Sequence, residues 1–242
     1  MSRDDIFNLE KIDEDFVFND QVAEVFDDML DRSIPYYRRI IDMTARLLEQ
    51  YLQPGDRVYD LGCSTGTTLL ALAERLKAPA LQYVGVDSSS AMIRKAVGKA
   101  ENFSRAGAVR FVEKDIMELD VENVGAIILN YTLQFIRPLQ REKFLRQVYG
   151  FLRPGGVLIM SEKVICGDSR LNREFIEFYY QYKKERGYSD LEIARKREAL
   201  ENVLIPFTGR ENENILRHAG FGNIERFFQW FNFVSFVAVK QD

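Results

Sequence analysis

Two cysteines, one histidine and one tryptophan are all that the 242 residues hold of those types. Cys63 and Cys166 are too few for a disulfide framework or a four-ligand zinc site, so no metal centre is expected. No apolar run approaches the roughly 20 residues that a bilayer span needs. The start, Met1-Ser2-Arg3-Asp4-Asp5, lacks the basic segment and apolar core of a signal peptide. No membrane association is therefore expected, and a cytoplasmic location is the default. A strong positive charge is missing too: the net charge is -4, which gives no footprint for direct nucleic-acid binding.

What is present is an ordinary globular composition, 46% hydrophobic and 29% charged, long enough for one large domain with a substantial insertion. The charge is unevenly spread. Residues 1–31 hold eleven acids and two bases, which reads as a solvated arm or helix surface. A helix follows with Pro35 at its first position, and Tyr37, Ile40, Ile41, Thr44, Leu47, Leu48 and Tyr51 at helical spacing. Pro54-Gly55 ends it.

From there strands and helices alternate. Arg57–Leu61, Leu81–Asp87, Val109–Val112, Val124–Asn130 and Val157–Val164 read as strands. Helices are expected from Thr67 to about Leu76, over Ala91–Ala100 behind a serine cap, and over Pro138–Leu152. The alternation predicts right-handed crossovers and an α/β fold with a doubly wound, mainly parallel sheet. The tail differs: Asn223–Phe228 and Phe231–Val239 predict a C-terminal antiparallel hairpin. A long helical stretch from about Leu171 to Leu204, broken near Gly187 and Ser189, exceeds a normal connection and reads as an inserted lid or dimerisation element. The expected organisation is one domain over 1–242, with an N-terminal arm and helix at 1–53 and a helical insertion at 165–210.

Chemistry concentrates at the strand ends. Asp60-Leu61-Gly62-Cys63-Ser64-Thr65-Gly66 is a glycine turn after the first strand, where ligands sit in doubly wound sheets. Alone it is a weak signal, since the full G-x-G-x-x-G fingerprint is absent. Asp87, ending the second strand, is placed to accept from both hydroxyls of a ribose. Asp115, just past the third, could accept from an adenine amino group while the Ile116 amide meets a ring nitrogen. Each acid alone reads as a cap or loop residue; together with the turn they argue for an adenosine-containing ligand.

The runs Val58–Gly66, Val86-Asp87-Ser88-Ser89, Lys114-Asp115-Ile116 and Leu152-Arg153-Pro154-Gly155-Gly156 resemble the class I S-adenosylmethionine (SAM)-dependent methyltransferase superfamily. The resemblance implies a Rossmann-like seven-stranded sheet. The departure is Ser64, where many members have a glycine. A fuller similarity is carried by Phe16–Ala23, Ser33–Tyr37, Asn130–Phe135, Ala194–Glu198 and Gln229–Phe233, which resemble the carboxy-S-adenosyl-L-methionine (carboxy-SAM) synthase family.

That resemblance implies a transferase converting SAM and prephenate to carboxy-SAM and phenylpyruvate. It implies a ligand held by Tyr37, Gly62, Cys63, Ser64, Asp87, Ser88, Asp115, Ile116 and Asn130, and a homodimer in which Arg197 of the neighbouring subunit pairs with the added carboxylate. The product would supply carboxymethyl groups for wobble-uridine modification of tRNA by a partner carboxymethyltransferase, which alone would handle the tRNA. In the family's chemistry the hydroxide leaving prephenate takes the proton from the sulfonium carbon, so the protein need not supply a strong base. No catalytic residue is assigned.

By itself Arg197 reads as a solvated helix arginine beside Arg195 and Lys196. A guanidinium is nonetheless the suitable partner for a carboxylate in a partly dry pocket. His218 reads as a helix C-terminal residue favoured by the dipole, and Cys63 as packing. Tyr131, Phe135, Phe175, Tyr179 and Trp230 are candidates to wall the second substrate, although each alone fits a core role. Two alternatives stay open: a small-molecule methyltransferase, against which stands the lack of an N-P-P-Y signature at Asn130-Tyr131-Thr132-Leu133, and a non-catalytic SAM-binding module.

Overall fold

The computed structural model describes residues 3–8, 16–101, 103 and 106–241. Its centre is a sheet of strands β1 (Arg57–Leu61), β2 (Gln82–Asp87), β3 (Val109–Glu113), β4 (Val124–Asn130), β5 (Leu152–Ile165), β7 (Asn223–Trp230) and β8 (Phe233–Val239). Their order is β3-β2-β1-β4-β5-β8-β7. The first five pair in parallel, and β8 runs antiparallel between β5 and β7. A two-residue β6 (Phe207–Thr208) pairs with the end of β5, beside the seven expected strands. Among the described residues, no helix is long and apolar enough to cross a membrane.

Alternation along the strands builds two cores. Tyr59, Leu61, Ile127 and Leu129 face one side, with Phe144, Leu145 and Val148 of α5 (Pro138–Phe151) and Leu216 of α8 (Gly209–Ala219). Val58, Ala126 and Ile128 face the other, with Ile41, Ala45 and Leu48 of α2 (Tyr37–Tyr51) and Leu69 and Leu72 of α3 (Thr67–Arg75). A sheet covered on both faces explains why β4 is a nearly unbroken apolar run, buried from Val124 to Leu129. The chain winds outward from β1 to β3 and then crosses back to β4. The switch point therefore lies between the carboxyl ends of β1 and β4.

The acidic start is more structured than its composition suggested, although residues 9–15 of that run lie outside the described residues. Asn19 caps helix α1 (Asp20–Ser33) by accepting from the Val22 amide, and Val22, Val25, Phe26 and Met29 are buried. Its acids face bases of α4 (Ser90–Glu101): Asp20 pairs with Arg94, Glu24 with Lys95 and Asp27 with Lys99. Pro35 does not open the next helix. It lies in the reversal between α1 and α2, where Tyr36 takes a left-handed conformation (φ 59°) and the helix begins at Tyr37.

The helical insertion forms α6 (Ser169–Glu185) and α7 (Asp190–Leu200), separated by Gly187 at φ 84°. Asp168 caps the first helix, and a Ser189–Glu192 capping box opens the second.

Candidate active site

A cavity of about 650 Å³ opens at the switch point, lined by Tyr37, Gly62, Cys63, Ser64, Asp87, Ser88, Asp115, Ile116 and Asn130, and also by the chain's own Arg197, where the resemblance implied the arginine of a neighbouring subunit. The turn after β1 forms its floor. Gly62 (φ 78°) lies so close to Thr132 that a Cβ would sit 2.5 Å from the threonine methyl. At Gly66 (φ 75°) a Cβ would sit 2.5 Å from the Phe111 ring. These glycines thus serve the packing beneath the cavity, with the Gly62 and Cys63 amides tied to the Val86 carbonyl. Ser64 adopts φ 47°, so this departure from glycine keeps a left-handed backbone with a side chain on it.

Asp87 is anchored from both sides. Its Oδ2 accepts from the Ser64 amide and its Oδ1 from the Ser89 amide, each at 2.9 Å. Burial raises its pKa, while those amides and that of Ser88 oppose the rise. Asp60, the penultimate residue of β1, is 1% exposed, and its Oδ1 has no hydrogen-bond partner among the described residues. Burial and then the charge of Asp87 push its carboxyl up to about 7. Asp115 caps the short 3₁₀ turn Ile116–Glu118 by accepting from the Met117 amide, so it both caps and lines the cavity.

The other side is built from hydroxyls and an amide. Thr68 Oγ1 shares a 2.9 Å hydrogen bond with the Tyr37 hydroxyl and accepts from Asn130 Nδ2 at 3.0 Å. Asn130 Oδ1 and the Tyr131 hydroxyl are buried without hydrogen-bond partners among the described residues. These orphaned groups meet the requirements of a polar ligand, since buried polar atoms are otherwise almost always satisfied. Asp27 accepts from the hydroxyls of Thr65 and Thr67, each at 2.6 Å, which clamps α1 over the turn. Burial pushes its carboxyl up, but the bond and charge of Lys99 and the two hydroxyls outweigh it and hold it below its ordinary value.

Basic groups gather at the far end, where Lys163 of β5, Lys183 of α6, and Lys196 and Arg197 of α7 line the cavity. The pKa of the Arg197 guanidinium is raised by a hydrogen bond to Tyr180. Tyr131, Phe135 and Tyr179 also line the cavity. Phe175 and Trp230 instead pack around Phe231, with centroid distances of 5.0 and 4.9 Å. The Cys63 thiol is buried and pushed up well above its ordinary range by that burial, which suits packing and not nucleophilic attack. His218 sits in the last turn of α8, exposed and 3.3 Å from Glu142, away from the cavity.

Known proteins share this fold and, in part, this sequence. A methyltransferase-domain model matches residues 58–156, the part of the chain that carries β1 to the start of β5. Two solved structures share the fold. One is an O-methyltransferase family protein of Burkholderia thailandensis (TM-score 0.66, 17% identity, 92% of this chain and 60% of that one). The other is a Methanococcus maripaludis structure assigned as a SAM-dependent methyltransferase (TM-score 0.64, 17% identity, 96% and 98%). The carboxy-SAM synthase of Desulfotalea psychrophila is 55% identical over 98% of this chain and 97% of its own length. Those of Nautilia profundicola and Methylococcus capsulatus are 47% and 44% identical, again over nearly both full lengths. The chain belongs to the carboxy-SAM synthase family.

As a member of that family it is an enzyme of the transferase class with a class I methyltransferase fold. Several groups at the site escaped sequence reasoning. Asp27 was one acid in an acidic run, and Thr68 one polar residue in an apolar helix. Lys163 and Lys183 were not singled out at all, since nothing in the sequence around them marks a lysine for burial. Only Asp60 carried a readable signal, as the penultimate residue of β1 just before the turn.

Proposed function

We propose that this member of the carboxy-SAM synthase family uses prephenate as its second substrate and releases phenylpyruvate. SAM is the substrate and carboxy-SAM the product. The methyl carbon of SAM gives up a proton and captures the carbon dioxide released from prephenate, while the hydroxide that leaves prephenate takes that proton as water. One observation carries the reading: a single cavity joins an adenosine-suited end, built on Asp87, Asp115 and Ile116, to a basic, aromatic end built largely by the insertion.

The chain's own task is then to orient and to exclude water. Asp87 holds the ribose hydroxyls, Asp115 and Ile116 the adenine edge, and Asn130 and Tyr37 the sulfonium arm. Arg197 pairs with the new carboxylate. Two reactive fragments kept together in a dry cavity need no strong base from the protein. The 1–242 chain acts as one SAM-binding unit, with 165–210 as lid and dimer element. It works in the cytoplasm as a homodimer without touching nucleic acid, and its product serves a separate tRNA wobble-uridine carboxymethyltransferase.

Incubation of purified protein with SAM, with and without prephenate, tests the reading by mass spectrometry of the products. Carboxy-SAM formed only with prephenate is expected. S-adenosylhomocysteine formed with a methyl acceptor would replace this reading by a methyltransferase, and no turnover would leave a binding module.

A further inference from the structure

The cavity is electrically divided in a way that SAM alone does not use. Acids stand at or just beyond the carboxyl ends of β1, β2 and β3, at Asp60, Asp87 and Asp115, whereas Lys163, Lys183 and Lys196 crowd the opposite end. Lys196 has its own counter-ion: Asp4 Oδ2 lies at 3.4 Å and Ser33 Oγ at 3.0 Å. Lys163 and Lys183 have none among the described residues, although Lys183 is only 5% exposed. Their ammonium groups stand over one ring, Tyr179, at 5.0 and 4.6 Å from its centroid. A ring face offsets only a small part of the cost of burying two like charges. Burial pushes Lys163 down to about 8; burial, and then the charges of Lys196 and Lys163, push Lys183 well below its ordinary range, with the more distant charge of Asp4 opposing only in part. Two amines on one wall of a binding cavity, neither with a counter-ion within reach among the described residues, are suited to an anion that enters from outside the protein and holds them charged.

We propose that Lys163 and Lys183 form the subsite for the carboxylate that the second substrate keeps, the carboxylate of a 2-oxo acid. The assignment rests on the carboxy-SAM synthase reading, and chemistry selects between the substrate's two carboxylates. The one lost as carbon dioxide must shed its charge, and a pair of ammonium groups would hold that charge in place. An apolar surrounding favours its departure. The retained carboxylate keeps its charge throughout and can be gripped from start to finish. The Tyr179 ring under both amines and the Tyr131 ring in the same cavity suit the six-membered ring of the same substrate.

Lys163→Met and Lys183→Met in the full chain test the assignment, because replacing an unpaired buried charge by an apolar chain of similar length does not threaten folding. Three quantities are read: SAM affinity by calorimetry without second substrate, phenylpyruvate affinity on the SAM-free protein, and KM against kcat for prephenate. The expected result is SAM affinity unchanged within about threefold, with phenylpyruvate affinity and prephenate KM each worsened at least about tenfold. Equal weakening of SAM and phenylpyruvate would mean that the pair reads the carboxylate of SAM itself and would overturn the proposal. So would no change in any of the three. If the unaltered chain makes no carboxy-SAM yet binds phenylpyruvate in a manner that both variants abolish, the reaction reading fails while the anion subsite stands.

Discussion

Asp60 keeps a proton well into the neutral range because burial, and then the charge of Asp87, push its carboxyl up to about 7. An unfolded aspartate releases its proton near pH ~4. The stabilising contribution is therefore complete below that value and is lost as pH rises to about 7. Asp60→Asn removes the dependence. Its stability advantage over the natural chain should grow between about pH 5 and about pH 8, by no more than about 4 kcal/mol, in urea unfolding without ligand. A constant gap would mean that Asp60 ionises normally. Glu162, raised to about 8 by burial, is present in both proteins and cancels.

Ser64 makes the complementary case. Its φ of 47° is a conformation that a side chain resists and a glycine accepts. Ser64→Gly should raise stability by up to about 1 kcal/mol, less the entropy that glycine adds to the unfolded chain. Because Ser64 meets Asp87 through its backbone amide, SAM affinity should survive the change; a tenfold loss would show that the hydroxyl itself binds.

Among the elements, the N-terminal segment and α7 depend on one another. Asp4 is 1% exposed and accepts from the Tyr188 hydroxyl while pairing with Lys196, and Arg32 Nη1 donates to its carbonyl at 2.9 Å. This cluster fixes the helix on which Arg197 stands next to Lys196. Asp4→Ala leaves Lys196 buried without a counter-ion, a cost of roughly 3–5 kcal/mol if nothing moves. Local detachment of α7 is the cheaper response. Hydrogen exchange should therefore show lost protection in Asp190–Leu200 while β4 stays protected, and equal loss in both would argue for global destabilisation.

The same elements show which features a sequence displays. Strands buried on both faces advertise themselves as apolar runs, and the acids at their ends were legible because the fold puts strand ends at the ligand. Helix α1 was not, because its buried Val22, Val25, Phe26 and Met29 are interleaved with acids whose partners in α4 lie 74 and 71 residues further along the chain. Lys163 and Lys183 were hidden for a related reason. Lysine is ordinarily a solvated residue, and it is the folding of α6 and α7 over the cavity that encloses these two.

For the whole molecule, the face formed by α6 and the β7–β8 turn stands out. Leu171, Phe178 and Phe231 are each at least 36% exposed, and Phe178 and Phe231 pack against each other at 4.7 Å. This face suits the proposed homodimer, and Phe178→Asp should shift the protein to monomer in sedimentation velocity. The chain's own Arg197 lines its own cavity, whereas the resemblance implied the arginine of a neighbouring subunit. Mixed dimers of two inactive variants, Arg197→Ala and Asp87→Ala, distinguish the arrangements. If the arginine crosses between subunits, the intact SAM site of the Arg197→Ala subunit receives its guanidinium from the Asp87→Ala subunit. One cavity of each mixed dimer is then complete, and carboxy-SAM formation returns on mixing. If the arginine acts within its own chain, every cavity keeps one defect and mixing restores nothing.

The outermost strand of the sheet, β7, carries a further consequence. Among the described residues nothing pairs with its outer edge, which leaves a row of backbone groups at the rim. Such a row is the kind of template on which a second molecule can lengthen a sheet without limit. Here the row is interrupted. The pairing with β8 slips between Arg226 and Phe228, and Glu225 and Arg226 stand exposed beside the slip. The irregularity that looks like a flaw in the hairpin thus interrupts that template, and straightening it would be expected to make the rim a better surface for a second molecule to extend.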